Sequence, residues 1–385
     1  MVCYSKFFKN SFFSFSILSL ILVFPVQASK QLAAHVIGDA AADLIYINVS
    51  NEVVIQAGDG AGGFLAPVTL SLNFDPTNIE FADFNSDGFN DLVAFDTDGL
   101  LSLSLNDTAD DFLDEDFLSI NVQFLEDVAD IQIGDLNDDG FIDIALAING
   151  LLNGRVAILY GDGAGGFDPL VEIDISGLLV GATSLDLSDL NADNTVDLII
   201  KDLLGNVHLL LSDGLGSYQA PSVLAGILPT GDIYFTDLDH DQVPDMIVLD
   251  KLLGILTIRL GNGDGSFLSG VGVSVGLTPT DLVAVDLNLD GNKDLAVVNV
   301  GDNSINVLMG DGLGGVVELV GQLLDDLLGI IPALGLPSKI VSQDFNSDCR
   351  LDVGIWNDLT QSFIIQLNQT GPAPSDLIFC SVFDF

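Results

Sequence analysis

The sequence predicts an all-β protein built from about seven copies of one four-stranded antiparallel unit. Three observations predict it. An acidic nonapeptide recurs at intervals of 48 to 58 residues. A glycine-rich turn recurs between the copies. Short apolar runs, several with a two-residue period, flank both motifs, which is the mark of half-buried strands.

The N-terminal stretch lies outside the repeats. Lys6 and Lys9 precede an apolar run from Ser11 to Phe24, and Val26-Gln27-Ala28 offers small residues for cleavage after Ala28. That layout is a secretory signal peptide. The run of 14 residues is shorter than the roughly 20 a spanning helix needs. Residues 1–28 are therefore expected to be removed, leaving residues 29–385 as one repeat domain, secreted to the exterior, the periplasm or the cell surface. No later segment reads as a membrane span. Cys349 and Cys380 then remain, and an exported chain permits a disulfide between them.

The acidic repeat reads Asp-x-Asn/Asp-x-Asp-Gly-x-x-Asp and starts at Asp83, Asp135, Asp189, Asp237, Asp286 and Asp344. A shortened form at Asp39 keeps the apolar run and has lost the loop, which brings the count to seven units. The glycine turn reads GDGAGGF at Gly58–Phe64 and Gly161–Phe167, with variants at Ser212–Tyr218, Gly261–Phe267 and Gly310–Val316. A degraded copy lies at Asn106–Phe112. Glycine and aspartate there supply the positive φ of tight turns. Apolar runs such as Leu92–Phe95, Ile144–Ile148 and Met246–Leu249 follow the acidic loops, and runs such as Val156–Tyr160 and Ile305–Met309 precede the turns.

Four antiparallel strands in about 50 residues describe one blade of a β-propeller. Seven blades closed in a ring also protect the edge strands. In such a meander the acidic loop joins the first and second strands and the glycine turn joins the third and fourth. Both motifs must then share one face of the disc. The opposite face carries connections in which no shared motif is evident, and partner selectivity is expected there.

The acidic loop suits a hard cation. Side-chain oxygens at positions 1, 3, 5 and 9, with the carbonyl of position 7, wrap one segment around one ion, and calcium takes six to eight oxygens. The predicted ligands are Asp83, Asn85, Asp87, Phe89 and Asp91; Asp135, Asn137, Asp139, Phe141 and Asp143; Asp189, Asn191, Asp193, Thr195 and Asp197; Asp237, Asp239, Asp241, Val243 and Asp245; Asp286, Asn288, Asp290, Asn292 and Asp294; and Asp344, Asn346, Asp348, Arg350 and Asp352. Up to six Ca²⁺ ions follow. Three loops have Gly at position 6, which permits the sharp bend; Asn194, Gln242 and Cys349 replace it in the others, and Gln242 and Cys349 fit least. The alternative for any single copy is an Asx-rich turn without metal.

Charge narrows the partners. The chain carries 56 Asp+Glu against 10 Lys+Arg, a net charge of −46. Such a surface repels nucleic acid and anionic membranes. The turns at Gly58, Gly161 and Gly310 match a dinucleotide fingerprint, but they open no helix and recur once per unit, so the turn reading wins. His35, His208 and His240 fall in different units, which offers little for catalysis. An acidic polysaccharide would need a basic cleft; carboxylate pairs acting on a neutral glycan remain a rival reading. Trp356 is the single Trp, a platform for a sugar or a packing residue between blades. Two insertions stand out: Asp110–Asp116, read as a solvated acidic loop, and Leu319–Pro337, whose leucines suit one face of a short helix covering the ring.

These residues resemble the FG-GAP/VCBS repeat family, which includes the integrin α-subunit propeller. The likeness rests on DFNSDGFNDLVAF, DLNDDGFIDIALA and DLNLDGNKDLAVV with GNGDGSF-type turns between them, over roughly residues 30–385. It implies a seven-bladed propeller, calcium in the loops between strands, and adhesion or ligand recognition. The expected function is a secreted, monomeric, non-catalytic scaffold for an extracellular protein or glycan. The alternative is a carbohydrate-active enzyme, a polysaccharide lyase or hydrolase.

Overall fold

The computed structural model of the chain describes residues 22–23, 31–34, 43–47, 50–57, 65–70, 72–106, 112–119, 126–150, 154–175, 181–224, 231–319, 337–343, 350–357 and 362–366. Among the described residues there are strands and no helix. The strands form four-stranded antiparallel sheets, seven in number, and six of them pair their strands in chain order.

One sheet illustrates all. Glu126–Gly134, Asp143–Gly150, Arg155–Leu159 and Val171–Asp174 pair in succession. The second and third strands are almost wholly buried, and the fourth is almost wholly exposed. Burial on both faces explains why second strands read as continuous apolar runs, such as DIALAI and DMIVLD, rather than as alternation.

The cores lie between consecutive sheets. Leu101 and Leu103 pack with Ile131 and Ile144 of the next sheet. Ala145 and Ile158 pack with Leu185 and Leu198, and Leu249 and Leu256 pack with Leu282 and Leu295. Each unit therefore buries its apolar face only against a neighbour, which is why the repeat needs its copies.

A bulge recurs in the first strand, at Val128/Asp130, Ala182/Ser184, Pro279/Asp281 and Pro337/Lys339. An extra residue there bends the strand and re-aims a side chain. Asp130 Oδ2 accepts from Leu185 N of the next sheet at 3.0 Å. Asp281 reaches three sheets: it accepts from Tyr234 OH at 3.0 Å, from Leu282 N at 3.0 Å and from Ile340 N at 3.1 Å.

The predicted topology holds. Acidic loops join first to second strands, and glycine turns join third to fourth, so both lie at one end of the sheets. The other end is more regular than the sequence suggested. Second strands finish in an Asx residue that caps the next turn. Asp96 Oδ1 accepts from Leu100 N, Asp202 Oδ1 from Leu204 N and Asn206 N, and Asp250 Oδ1 from Leu252 N and Leu253 N. The Asx-turn is what recurs, on a background of unlike neighbours, and that hid it. Leu203, Leu204, Leu252, Leu253 and Leu277 stand exposed at this end.

The DDFLDED insertion also corrects the expectation of a loop. Residues from Phe112 belong to a strand, Phe112–Ser119, paired along Leu100–Asn106. The pairing partner supplies what the acidic composition obscured. The proposed helix between Leu319 and Pro337, the loop residues Asp344, Asn346 and Asp348, the first turn at Gly58, the shortened loop at Asp39, and both Cys349 and Cys380 lie outside the described residues. Trp356 falls on the second strand of the last sheet, Asp352–Asn357. The fourth place in that sheet is taken by Leu22–Val23, within the stretch read as a leader, pairing with Phe363 and Ser362.

Candidate metal centres

The acidic loops fold by wrapping backbone amides around position 1. In the loop at Asp135, Oδ1 accepts from Asp139 N at 3.1 Å and Oδ2 from Gly140 N at 2.9 Å. Asn137 Oδ1 also accepts from Asp139 N, and its amide donates to Asp139 Oδ2. Asp139 Oδ1 accepts from Phe141 N. The same bonds recur at Asp83, Asp189 and Asp286. Side-chain oxygens at positions 1 and 3 thus converge on the amide of position 5.

This wrapping demands left-handed backbone at two positions. Position 6 was foreseen: Gly88, Gly140 and Gly291 have φ of 95°, 88° and 91°, and Asn194 and Gln242 follow at 68° and 70°. The substituted loops keep the bend, and Gln242 N donates to Asp237 Oδ2 at 2.9 Å as the glycines do. Position 4 was missed. Ser86, Asp138, Ala192, His240 and Leu289 all have φ between 56° and 65°. These residues share no chemistry, so nothing in the sequence flagged them; the ring of acceptors imposes the conformation.

Position 9 differs from the rest. Asp91, Asp143, Asp197, Asp245 and Asp294 are buried. In each, Oδ2 accepts from the amide of position 2 and Oδ1 from the first residue of the glycine turn. For Asp143 the donors are Leu136 N at 2.7 Å and Gly161 N at 2.8 Å. Asn106 N, Ser212 N, Gly261 N and Gly310 N take the part of Gly161 elsewhere. Burial pushes these carboxyls up, Asp143 to about 7 and the other four to about 6. The amide donors oppose the rise, and the charges at positions 5 and 1, or at 3 and 1 beside Asp245, add to it.

Glycine turns carry two further clasps. The position 7 side chain lies over the second glycine of its own turn: a Cβ on Gly163 would sit 2.2 Å from the Phe141 ring, and one on Gly312 would sit 2.3 Å from Asn292 Oδ1. Each turn also reaches the preceding sheet. Gly165 N donates to Phe84 O and Gly265 N to Leu190 O, both at 3.2–3.3 Å. A Cβ on Gly314 would meet Leu260 of the preceding sheet at 2.3 Å. Loop, turn and preceding loop are thus joined in series along this face.

The residues fit a divalent hard cation. The donor set at each loop is all oxygen, and Asp237, Asp239 and Asp245 place one carboxylate oxygen each within 4.8 Å of one another. That loop was among the least expected to bind, because of Gln242; its aspartate at position 3, where the other described loops have asparagine, adds a carboxylate at a predicted ligand position. His240 Nε2 lies 3.1 Å from Asn292 Oδ1 of the next loop, and Lys293 Nζ donates to Thr236 Oγ1 at 2.7 Å. Of the last loop, Arg350 and Asp352 are described and buried.

Comparison with known proteins agrees with this architecture. No curated protein matches the sequence. Among solved structures, the BP39L lectin from Burkholderia pseudomallei superimposes with a TM-score of 0.64 at 16% identity, over 90% of this chain and 99% of the lectin. A lectin from Agrocybe aegerita that recognises non-reducing terminal N-acetylglucosamine gives 0.57 at 19% identity, over 76% of this chain and 80% of that one. A rhamnogalacturonan lyase from Bacillus licheniformis gives 0.51 at 12% identity, over 89% of this chain and 72% of the lyase. Such likenesses establish a propeller-like all-β fold. The family model for the FG-GAP-like repeat matches residues 36–94, which span the acidic loop at Asp83. That match places one FG-GAP-like repeat at residues 36–94, within a propeller-like fold.

Proposed function

We propose that this protein is an exported, monomeric, seven-bladed β-propeller, clipped by calcium, that recognises a saccharide without catalysis. The observation that carries the reading is how the repeated motifs are used. Position 9 carboxylates and turn glycines are engaged in joining loop to turn and sheet to sheet. Residues tied down in this way serve as scaffold, and recognition falls to the opposite end, where turn side chains differ from unit to unit.

The ligand class draws support from the neighbours. Two are lectins and one is a lyase named for a polysaccharide, so carbohydrate is common to both kinds. A net charge of −46 disfavours polyanionic chains, which points to a neutral or cationic saccharide. The lyase likeness favours one second reading, a carbohydrate-active enzyme. A protein ligand is the remaining outcome.

A glycan array probed in calcium, and again after chelation, tests the proposal. Selective binding that chelation weakens is expected. Release of new reducing ends from a bound polysaccharide would replace the non-catalytic reading with the enzymatic one. An array without any selective signal would sink the saccharide claim.

A further inference from the structure

The end of the sheets away from the acidic loops is not uniform. Four of its turns between second and third strands are described in full. Two are polar, Thr97-Asp98-Gly99 and Val300-Gly301-Asp302-Asn303, and Asp98 and Asp302 stand exposed. The other two carry a leucine pair, Leu203-Leu204 after Asp202 and Leu252-Leu253 after Lys251. Their sheets are consecutive and pack directly together, so the four leucines share one sector of this end. Leu252 is 77% exposed and the other three 53% to 60%.

Short contacts tie the two turns together. Lys201, at the end of the strand before the first pair, donates from Nζ to Gly231 O at 2.7 Å and lies 3.9 Å from Asp232 Oδ1. Lys251 Nζ pairs with Asp232 Oδ2. One carboxylate thus draws in a lysine from each turn. Gly254 closes the second turn against Gly276, where a Cβ would lie 2.6 Å from Gly276 O. Gly276 directly precedes Leu277, also exposed, so the apolar sector runs on to the edge of the next sheet.

Charge narrows what can cover these leucines. Within the sector the cations are drawn to Asp232, and the tips of both turns are apolar. The chain around it carries a net charge of −46. A second copy, a nucleic acid or an anionic membrane brings like charge and is repelled. Leucine side chains offer no hydrogen bond to the hydroxyls of a saccharide. An apolar centre inside a basic surround complements this sector.

We infer that Leu203, Leu204, Leu252, Leu253 and Leu277 form a docking surface for a protein segment whose apolar side chains are flanked by lysine or arginine. The leucines supply apolar area, and the acidic surface around them supplies long-range attraction. Such docking does not depend on saccharide recognition, and either can hold without the other.

A synthetic amphipathic peptide, leucine on one helical face and lysine on the other, serves as the probe. A second peptide carries serine for every leucine. Binding of each to the calcium-treated protein is read by calorimetry at low and at physiological salt. The leucine peptide is expected to bind, more weakly as salt rises. Leu252→Ser combined with Leu253→Ser should weaken it about ten-fold or more. Leu313→Ser, as exposed as Leu252 but at the acidic-loop end, should leave it unchanged. An unchanged Tm checks that both variants fold. No binding of the leucine peptide, equal affinity for the two peptides, or equal effects of the two variants would overturn the assignment. So would a dimer in sedimentation equilibrium, or capture on phosphatidylcholine vesicles, that only the double variant loses. The sector would then belong to a second copy or to a lipid surface.

Discussion

Asp143 Oδ1 accepts a hydrogen bond from Gly161 N at 2.8 Å, joining the end of an acidic loop to the start of a glycine turn 18 residues later. Its other oxygen takes Leu136 N. One buried carboxylate thereby fixes three strands of a sheet at one end. Asp143→Ala should leave two buried amides without acceptors, at about 1–3 kcal/mol each. Denaturant unfolding with metal chelated should show a loss of about 2–5 kcal/mol. Asp139→Ala, at an exposed position of the same loop, should cost far less under those conditions. Equal effects would show that position 9 has no special structural part.

The position 9 carboxyls also set a pH dependence. They titrate in the folded protein at about 6 to 7, against about 4 in an unfolded chain. Between those values the folded state holds more protons. Stability of the metal-free protein should therefore be greatest below about pH 4 as far as these groups are concerned, and fall as pH rises to about 7. Calcium favours the ionised form and should flatten the fall. Thermal melts from pH 4 to 8, with EDTA and with calcium, measure both curves. Coincident curves would remove calcium from the loops.

Removing the metal at neutral pH should lower Tm markedly, because each loop crowds carboxylates that a cation would neutralise. Readdition of Ca²⁺ should restore it. The loop at Asp237, with three converging carboxylates, is expected to bind as well as the glycine-bearing loops. Calorimetric titration of Asp239→Ala, which removes a ligand oxygen that aspartate or asparagine would supply, should lose binding at one site only.

Two glycines separate backbone strain from steric fit. Gly140 has φ +88° with open space around its missing Cβ, so Gly140→Ala should cost about 1–2 kcal/mol. Gly161 has no such strain, yet a Cβ there would lie 2.3 Å from the Ile142 carbonyl oxygen. Gly161→Ala should cost about 3 kcal/mol by forcing loop and turn apart. The order of the two denaturation midpoints checks the clasp.

Tyr234 donates to Asp281, which also receives Ile340 N, so one carboxylate links three sheets. Burial and the Asp281 charge push the phenol well above its usual range, so it remains a donor at neutral pH. Tyr234→Phe should cost about 1.5–3 kcal/mol, the worth of a hydrogen bond to a charged group. An unchanged midpoint would mean the link carries no net energy.

The sequence by itself determined the repeat, the strands and the side of the sheets that holds both motifs. Local chemistry suffices for these: a loop with oxygens at fixed spacing, a turn needing positive φ, and apolar runs between them. Tertiary structure alone decided what the position 9 carboxylates hold, since Gly161 meets Asp143 only once the third strand lies beside the second. It alone decided that a Cβ on Gly314 would collide with Leu260, because that residue belongs to the preceding sheet. The left-handed residues Ser86 through Leu289 and the cross-sheet reach of Asp281 were likewise illegible. Position 4 takes its conformation from the acceptor ring of its own loop, and Asp281 its reach from the neighbouring sheets; side-chain identity at those positions carries little record of either.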